Sequence, residues 1–149
     1  MWSNLLRFLQ LPVARKLLLL EALYFLAVAR LAMFLLPFRR VATWLGTVGA
    51  ETPQTAAEEF IRQAREIAWA IAVLARRVPW DSRCLAQALA GTAMLRRRSL
   101  EGTVSFGAGR DGESKFSAHA WLRFGPLMVT GGPGHDRFQL FTTFARREK

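Results

Sequence analysis

The residues of this chain best suited to covalent chemistry are one cysteine, Cys84, and one histidine, His119. Cys84 is the only cysteine among 149 residues and cannot form an internal disulfide. Capping at Asp81 or Ser82 would place it in the first turn of a helix, where free N–H groups and the helix dipole stabilise a thiolate. His119 lies in an alternating, strand-like run further along the chain. A thiol and an imidazole that meet in a fold form a nucleophile and a base for acyl transfer.

The longest apolar run, Leu17 to Phe38, is long enough to cross a bilayer. Glu21 and Arg30 would then each lie in the hydrocarbon, at a cost of about 3 kcal/mol apiece. They are nine residues apart and fall on opposite sides of a helix. We therefore expect a helix buried against this domain or a partner rather than a membrane span. A short helical turn is expected to follow over residues 38–45.

Two further helices are predicted in the first hundred residues. Glycine, threonine and proline mark residues 46–55 as a linker. Thr55 and Glu58 have the spacing of a capping box, which predicts a helix that starts there and runs to Arg77. The helix that carries the cysteine is expected to end at about Arg97.

From Gly102 onwards the apolar pattern changes to a period of two. In the second of the strands that this predicts, His119 and Trp121 share one face. If that face is to meet the cysteine, the cysteine helix must pack against it, with Trp121 as the apolar contact. Helices followed by an antiparallel sheet indicate an α+β fold. The predicted strands cover residues 103–109, 115–124, 127–132 and 137–144.

The chain is strongly basic, with 21 Lys and Arg against 11 Asp and Glu and a net charge of +10. This charge suits nucleic acid, an anionic membrane or an acidic polypeptide. Nucleic acid is disfavoured, because no known binding motif is present and the aromatic residues follow core periodicity. The densest basic tract, residues 96–98, is interpreted as a solvated helix end. One cysteine and two histidines are too few to predict a zinc site.

Two sequence blocks taken together resemble the transglutaminase-like leader peptidases of lasso-peptide biosynthesis, in their stand-alone form. The first block is Trp-x3-Cys-Leu-x-Gln-Ala-Leu-Ala over residues 80–90, and the second is Ala-His-Ala-Trp over residues 118–121. The basic, leucine-rich N-terminus also resembles that form. The resemblance implies a helical N-terminal extension over residues 1–50 and, over residues 51–149, a transglutaminase/papain-like core whose cysteine helix packs on a sheet carrying the histidine.

The resemblance also implies a cytoplasmic cysteine peptidase without a cofactor, which removes the leader from a ribosomally made precursor peptide. Cys84 would attack the scissile carbonyl, and His119 would carry the proton. Trp80 would join the Cys84 N–H as an oxyanion donor, and Gln87 and Trp121 would line the site. In the split form, a separate leader-recognition protein delivers the peptide, and the N-terminal helical region is its expected docking surface. A macrocyclase that then closes the ring is a second candidate partner.

The sequence departs from the family pattern at the third residue of the site. Related enzymes carry an Asp on the strand after His-Ala-Trp, at positions that here are Gly131 and Gly132. Asp136 is the nearest acid and could reach back through the glycine-rich loop, which makes it the candidate third catalytic residue. Otherwise a backbone carbonyl, Gln87 or Ser117 must fix the tautomer of the histidine.

Three other functions stay open on the sequence. The first is a non-catalytic, basic peptide-binding module, because a lone cysteine is more often a small buried side chain than a nucleophile. The second is a transglutaminase or amidase that transfers the acyl group to an amine rather than to water. The third is a membrane-anchored basic protein, although membrane association is not expected.

Overall fold

A computed structural model of the chain describes residues 2–78, 83–111, 115–132 and 135–147. Within these residues the sheet is antiparallel, with strand order β1-β5-β2-β3-β4. The helices are α1 (Trp2–Gln10), α2 (Val13–Leu35), α3 (Phe38–Leu45), α4 (Glu58–Ala75) and α5 (Cys84–Arg96). The strands are β1 (Thr47–Val48), β2 (Thr103–Asp111), β3 (Lys115–Phe124), β4 (Leu127–Thr130) and β5 (Gln139–Ala145). The α+β organisation predicted from the sequence is confirmed.

The predicted linker contains a strand that the sequence did not reveal. Thr47 and Val48 pair with Ala145 and Phe144 of β5 and form one edge of the sheet. Gly46 precedes this strand with φ +124°, and a Cβ there would lie 2.6 Å from the Ala145 backbone. Two paired residues show no periodicity, so only the distant β5 defines this strand. The boundary at residue 50 stays a prediction.

The start of α4 differs from the predicted capping box. The N-cap is Ala57, no side chain caps the helix, and Glu58 is the first helical residue. A capping box would require Thr55 at the N-cap, so that interpretation is wrong. The first turn instead carries Glu58 and Glu59, whose negative charges interact favourably with the positive end of the helix dipole.

The start of α5 is also shifted from the prediction. Its N-cap is Arg83, and the two predicted capping residues, Asp81 and Ser82, lie outside the described residues. Cys84 nevertheless occupies the first helical position. The prediction that mattered for chemistry, a cysteine in the first turn, is confirmed.

α5 packs against the face of β3 opposite to the one predicted. A Cβ on Gly91 of α5 would lie 2.6 Å from Leu122 Cδ2, and Leu122 and Phe124 belong to the same apolar core as Leu95. Trp121, the predicted contact, stacks instead on His119. The physical reason is that the alternate face of β3 is wholly apolar and fills the core better than a face carrying His119.

α2 packs on α4 and α5 along one side only. Its buried residues are Leu18, Leu19, Ala22, Leu26 and Ala29. Glu21 accepts two hydrogen bonds from Arg98 of the segment after α5, at 2.8 and 2.9 Å, and pairs with Arg97 at 3.1 Å. By length and composition alone α2 could cross a membrane. Its contacts with the domain confirm the expected packing for this side of the helix.

The basic tract of residues 96–98 is not simply a solvated helix end. The Arg96 side chain is 10% exposed and donates to Glu101 at 3.0 Å. It also donates to the carbonyls of Trp44 and Leu45 at 2.6 and 2.8 Å. These bonds satisfy carbonyls at the C-terminal end of α3. Arg96 and Arg98 therefore join the N-terminal helices to the rest of the molecule.

Candidate active site

The thiol of Cys84 lies at the N-terminal end of α5 beside the backbone of β3. Its Sγ accepts a hydrogen bond from the backbone N–H of Ala120 at 3.4 Å, and the residue is half-buried. The N–H of Gln87 donates to the Arg83 carbonyl at 3.1 Å. The three N–H groups between these residues therefore have no partner within the helix. The sulfur of Cys84 therefore lies at a helix start, beside backbone N–H groups, and accepts the Ala120 N–H.

His119, the residue before Ala120, is held by one hydrogen bond and two aromatic contacts. Its Nε2 lies 2.8 Å from the Gly131 carbonyl oxygen. Its ring stacks on Trp121 and on Phe138, with centroid distances of 5.8 and 4.8 Å. A carbonyl can only accept, so Nε2 carries the proton of the neutral ring and Nδ1 keeps a lone pair. Nδ1 is thus the nitrogen that can take a proton from a thiol.

Gly107 of β2 makes room for the aromatic rings around His119. It is the register partner of His119. A Cβ there would lie 2.8 Å from Phe138 Cβ and 2.9 Å from the Trp121 ring. Glycine inside a strand often marks such a close approach. The Gly-Ala-Gly run of residues 107–109 was therefore the sequence signal for this slot, and sequence reasoning missed it.

Gly131 is one of the two glycines at the position where the resemblance led us to expect an acid. Its φ is +70°, and a Cβ would lie 2.6 Å from the Ala120 carbonyl oxygen. The left-handed conformation turns the Gly131 carbonyl towards His119, while the close backbone leaves no space for a side chain. A backbone carbonyl, one of the alternatives left open by the sequence, thus fixes the tautomer of His119.

Comparison with known protein families shows which family has this arrangement of residues. The family model of the transglutaminase-like superfamily matches residues 32–143, a span that includes Cys84, His119 and Gly131. The chain belongs to the transglutaminase-like superfamily. Such proteins are commonly cysteine peptidases or acyltransferases, which agrees with a thiol and an imidazole as the reacting groups. No curated protein and no solved structure matches the chain.

The transglutaminase-like site does not bring Asp136 to His119. Asp136 is exposed in the 3-10 turn His135–Arg137. Within the described part of the chain it makes no ion pair, and the Nε2 position on His119 is taken by Gly131. The turn directs Asp136 to solvent, whereas the neighbouring His135 donates its Nδ1–H to the Gly132 carbonyl, 2.7 Å away.

The other three residues predicted to line the site are Gln87, Trp121 and Trp80. Gln87 is half-buried one turn after Cys84 on α5. Trp121 is 8% exposed, and its ring packs against the rings of His119 and His135. It therefore helps to hold the His119 ring in place. Trp80, the predicted oxyanion donor, lies outside the described residues.

Proposed function

We propose that this chain is a cysteine peptidase that cleaves the leader from a ribosomally synthesised lasso-peptide precursor. The observation that carries the peptidase part is the joint placement of Cys84 and His119. The thiol lies at a helix N-terminus and accepts the N–H of the residue next to a histidine whose Nδ1 lone pair is available. The lasso-peptide part rests on the resemblance of residues 80–90 and 118–121 to the leader peptidases.

In the acylation step, Nδ1 of His119 removes the proton of the Cys84 thiol. Sγ then attacks the carbonyl carbon of the last leader residue. The resulting oxyanion accepts a hydrogen bond from the Cys84 N–H at the start of α5. The imidazolium gives its proton to the leaving nitrogen, the C–N bond breaks, and the core peptide departs with a free N-terminus.

In the deacylation step, water attacks the thioester while His119 removes one of its protons. The tetrahedral intermediate collapses, the leader leaves with a carboxyl terminus, and the thiol of Cys84 regains its proton. The Gly131 carbonyl keeps the ring of His119 in one orientation through both steps, because Nε2–H remains its donor in the neutral and the protonated ring.

The same resemblance supports the partners of the reaction. A separate leader-recognition protein would bind the leader and deliver the scissile bond to Cys84. A macrocyclase would then join the freed N-terminus of the core to an acidic side chain. We propose that the three proteins act in the cytoplasm, where a reduced thiol is maintained.

Mass spectrometry of a candidate precursor, incubated with this chain and the leader-recognition protein, tests the proposal. Wild type should cut one bond, Cys84→Ala should cut none, and His119→Ala should be slower by at least about a hundredfold. His135→Ala is the matched control and should retain most activity, since its ring contacts Gly132 and Trp121 rather than the thiol. Equal cleavage by Cys84→Ala would exclude this nucleophile.

The same experiment separates hydrolysis from acyl transfer to an amine. Hydrolysis leaves the leader with a free carboxyl group even when glycine ethyl ester is added as an acceptor. Quantitative appearance of the leader as the amide of that acceptor would instead assign the chain to the acyltransferases of the superfamily.

A further inference from the structure

The first helix, α1, carries an apolar face that the domain leaves uncovered. None of its nine residues is buried. Trp2, Leu5, Leu6 and Leu9 recur at helical spacing on one side and are between half and four-fifths exposed. A helix this short is not stable in water by itself. An apolar surface that covers this side would therefore also stabilise the helix.

α2 continues this uncovered surface. Val13 and Leu31 lie 18 residues apart, which is five full turns, and both are exposed. Buried Ala22 lies nine residues after Val13, on the opposite side of the helix. We call the exposed side of the two helices the outer face. Its large residues are Trp2, Leu5, Leu6 and Leu9 of α1, and Val13, Leu17, Leu20, Tyr24, Leu31 and Phe34 of α2.

The outer face carries no acidic residue. Its one charged side chain is Lys16, which lies five full turns before Phe34 on α2, and further basic residues surround the face. Residues 1–50 contain six Lys and Arg and one acid, Glu21, a net charge of +5. Glu21 is already paired with Arg97 and Arg98. Among the described residues, five of the six basic side chains have no carboxylate partner. They are Arg7, Lys16, Arg30, Arg39 and Arg40.

An apolar helical face with a basic surround and aromatic residues such as Trp2 and Tyr24 fits a membrane with anionic headgroups. A second copy of the chain fits less well, because two outer faces would bring +5 against +5. A protein partner, which the sequence favoured for residues 1–50, would have to cover two convex helices with acidic side chains. A lipid surface adapts to this shape and supplies the negative charge.

The packing of α2 determines whether the helix spans such a membrane or lies on its surface. Its inner side, including Ala22 and Leu26, belongs to the domain core, and Glu21 is bound by Arg98. A helix that crossed the bilayer would have to lose these contacts. We infer that α1 and α2 lie in the plane of an anionic membrane surface on the outer face, without spanning it. This inference goes beyond the proposed peptidase function and does not depend on it.

Vesicle flotation of the full chain tests the inference. We expect binding to phosphatidylcholine vesicles with about one third phosphatidylglycerol, and little binding to phosphatidylcholine alone. Leu31→Glu, at a residue 57% exposed, should weaken binding at least about tenfold. The matched control is Val48→Glu on β1, 65% exposed and away from the outer face, which should bind as wild type does. Arg30→Gln should weaken binding about fivefold.

Three results would overturn the inference. One is equal binding by wild type and Leu31→Glu. Another is a wild-type dimer that Leu31→Glu dissociates, without vesicle binding, which would assign the outer face to a second copy. The third is a complex with the leader-recognition protein that Leu31→Glu breaks, again without vesicle binding. Precursor cleavage by the wild type without vesicles does not depend on lipid binding or on the Leu31→Glu variant, and it reports on the peptidase function alone.

Discussion

At the scale of single residues, the site obtains its orientation from a backbone carbonyl and two aromatic rings. Nε2 of His119 bonds to Gly131, while Trp121 and Phe138 cover the ring faces. A carboxylate at this position would both orient the ring and stabilise its positive charge. The Gly131 carbonyl also orients the ring, through the 2.8 Å contact to Nε2, but it carries only a dipole. The proposed catalytic pair thus depends on the orientation of His119 more than on a third charged group.

We predict that Gly131→Asp will not supply the missing acid. A Cβ at residue 131 would lie 2.6 Å from the Ala120 carbonyl, and φ is +70°. The substitution should cost about 2 to 4 kcal/mol of unfolding free energy and lower kcat/KM for the precursor at least about tenfold. Denaturant unfolding and cleavage kinetics measure both effects.

The neighbouring substitution Gly132→Asp is the matched control. A Cβ there would lie 2.9 Å from Cγ of Met128, a flexible side chain that can move. It should therefore cost less free energy of unfolding than Gly131→Asp. Activity of Gly131→Asp at or above the wild-type level would mean that the site does accept a carboxylate.

A second prediction concerns the slot in β2. Gly107→Ala would bring a methyl group to 2.8 Å from Phe138 Cβ and displace the ring that covers His119. We expect a loss of about 1 to 3 kcal/mol in the free energy of unfolding. We also expect a fall in kcat that exceeds any change in KM, because the base is displaced and the substrate surface is not. An unchanged kcat would show that Phe138 does not position His119.

At the scale of elements, α5 has two functions at its two ends. Its N-terminus presents Cys84 to the edge of β3, and the residues after its C-terminus hold α2 and α3 through Arg98 and Arg96. Burial alone would raise the pKa of Glu21, but the hydrogen bonds and charge of Arg98, with Arg97, outweigh burial and hold it below its usual value. The Glu21–Arg98 contact is therefore stabilising when Glu21 is ionised.

We predict that Glu21→Gln will lower the free energy of unfolding by about 2 kcal/mol near neutral pH. Because the folded pKa of Glu21 is lowered, its contribution is complete above the unfolded value of about 4.3 and is lost as the pH falls through the folded value. Wild type should thus lose more stability than Glu21→Gln on acidification below about pH 5. Denaturant titrations over this range measure the difference.

Glu66→Gln is the control for that prediction. Glu66 pairs with Arg15 at 3.0 Å, but both side chains are 41% exposed. An ion pair this exposed contributes less than about 1 kcal/mol. If Glu66→Gln destabilised the protein as much as Glu21→Gln, the difference in burial would not explain the effect.

At the scale of the whole molecule, the sequence was sufficient for elements with strong periodicity and for residues with distinctive chemistry. It placed Cys84 in a first helical turn and His119 on a strand of an antiparallel sheet, and the structure agrees. It did not reveal β1, because two residues paired with a distant strand carry no pattern. It also chose the wrong face of β3 for α5, because it required the helix to pack on the face that carries His119, whereas α5 packs on the apolar face with Leu122.

The role of Gly131 shows a further limit of sequence reasoning. The absence of an aspartate can be read from the sequence. The backbone carbonyl that takes its role cannot, because every residue has the same carbonyl group. Only the φ of +70° and the 2.8 Å contact to His119 reveal it. Likewise, the apolar run of α2 can be recognised in the sequence. Only the structure shows which side of the helix is buried, namely the side with Ala22 and Leu26.

The measurement that tests the central claim most directly is the rate at which iodoacetamide alkylates Cys84 near neutral pH. The chain has one cysteine, so the added mass reports on this thiol alone. If His119 is its base, wild type should react at least about tenfold faster than His119→Ala, and His135→Ala should react as wild type does. Equal and slow alkylation of all three proteins would contradict a Cys84–His119 pair and leave the thiol as a structural side chain.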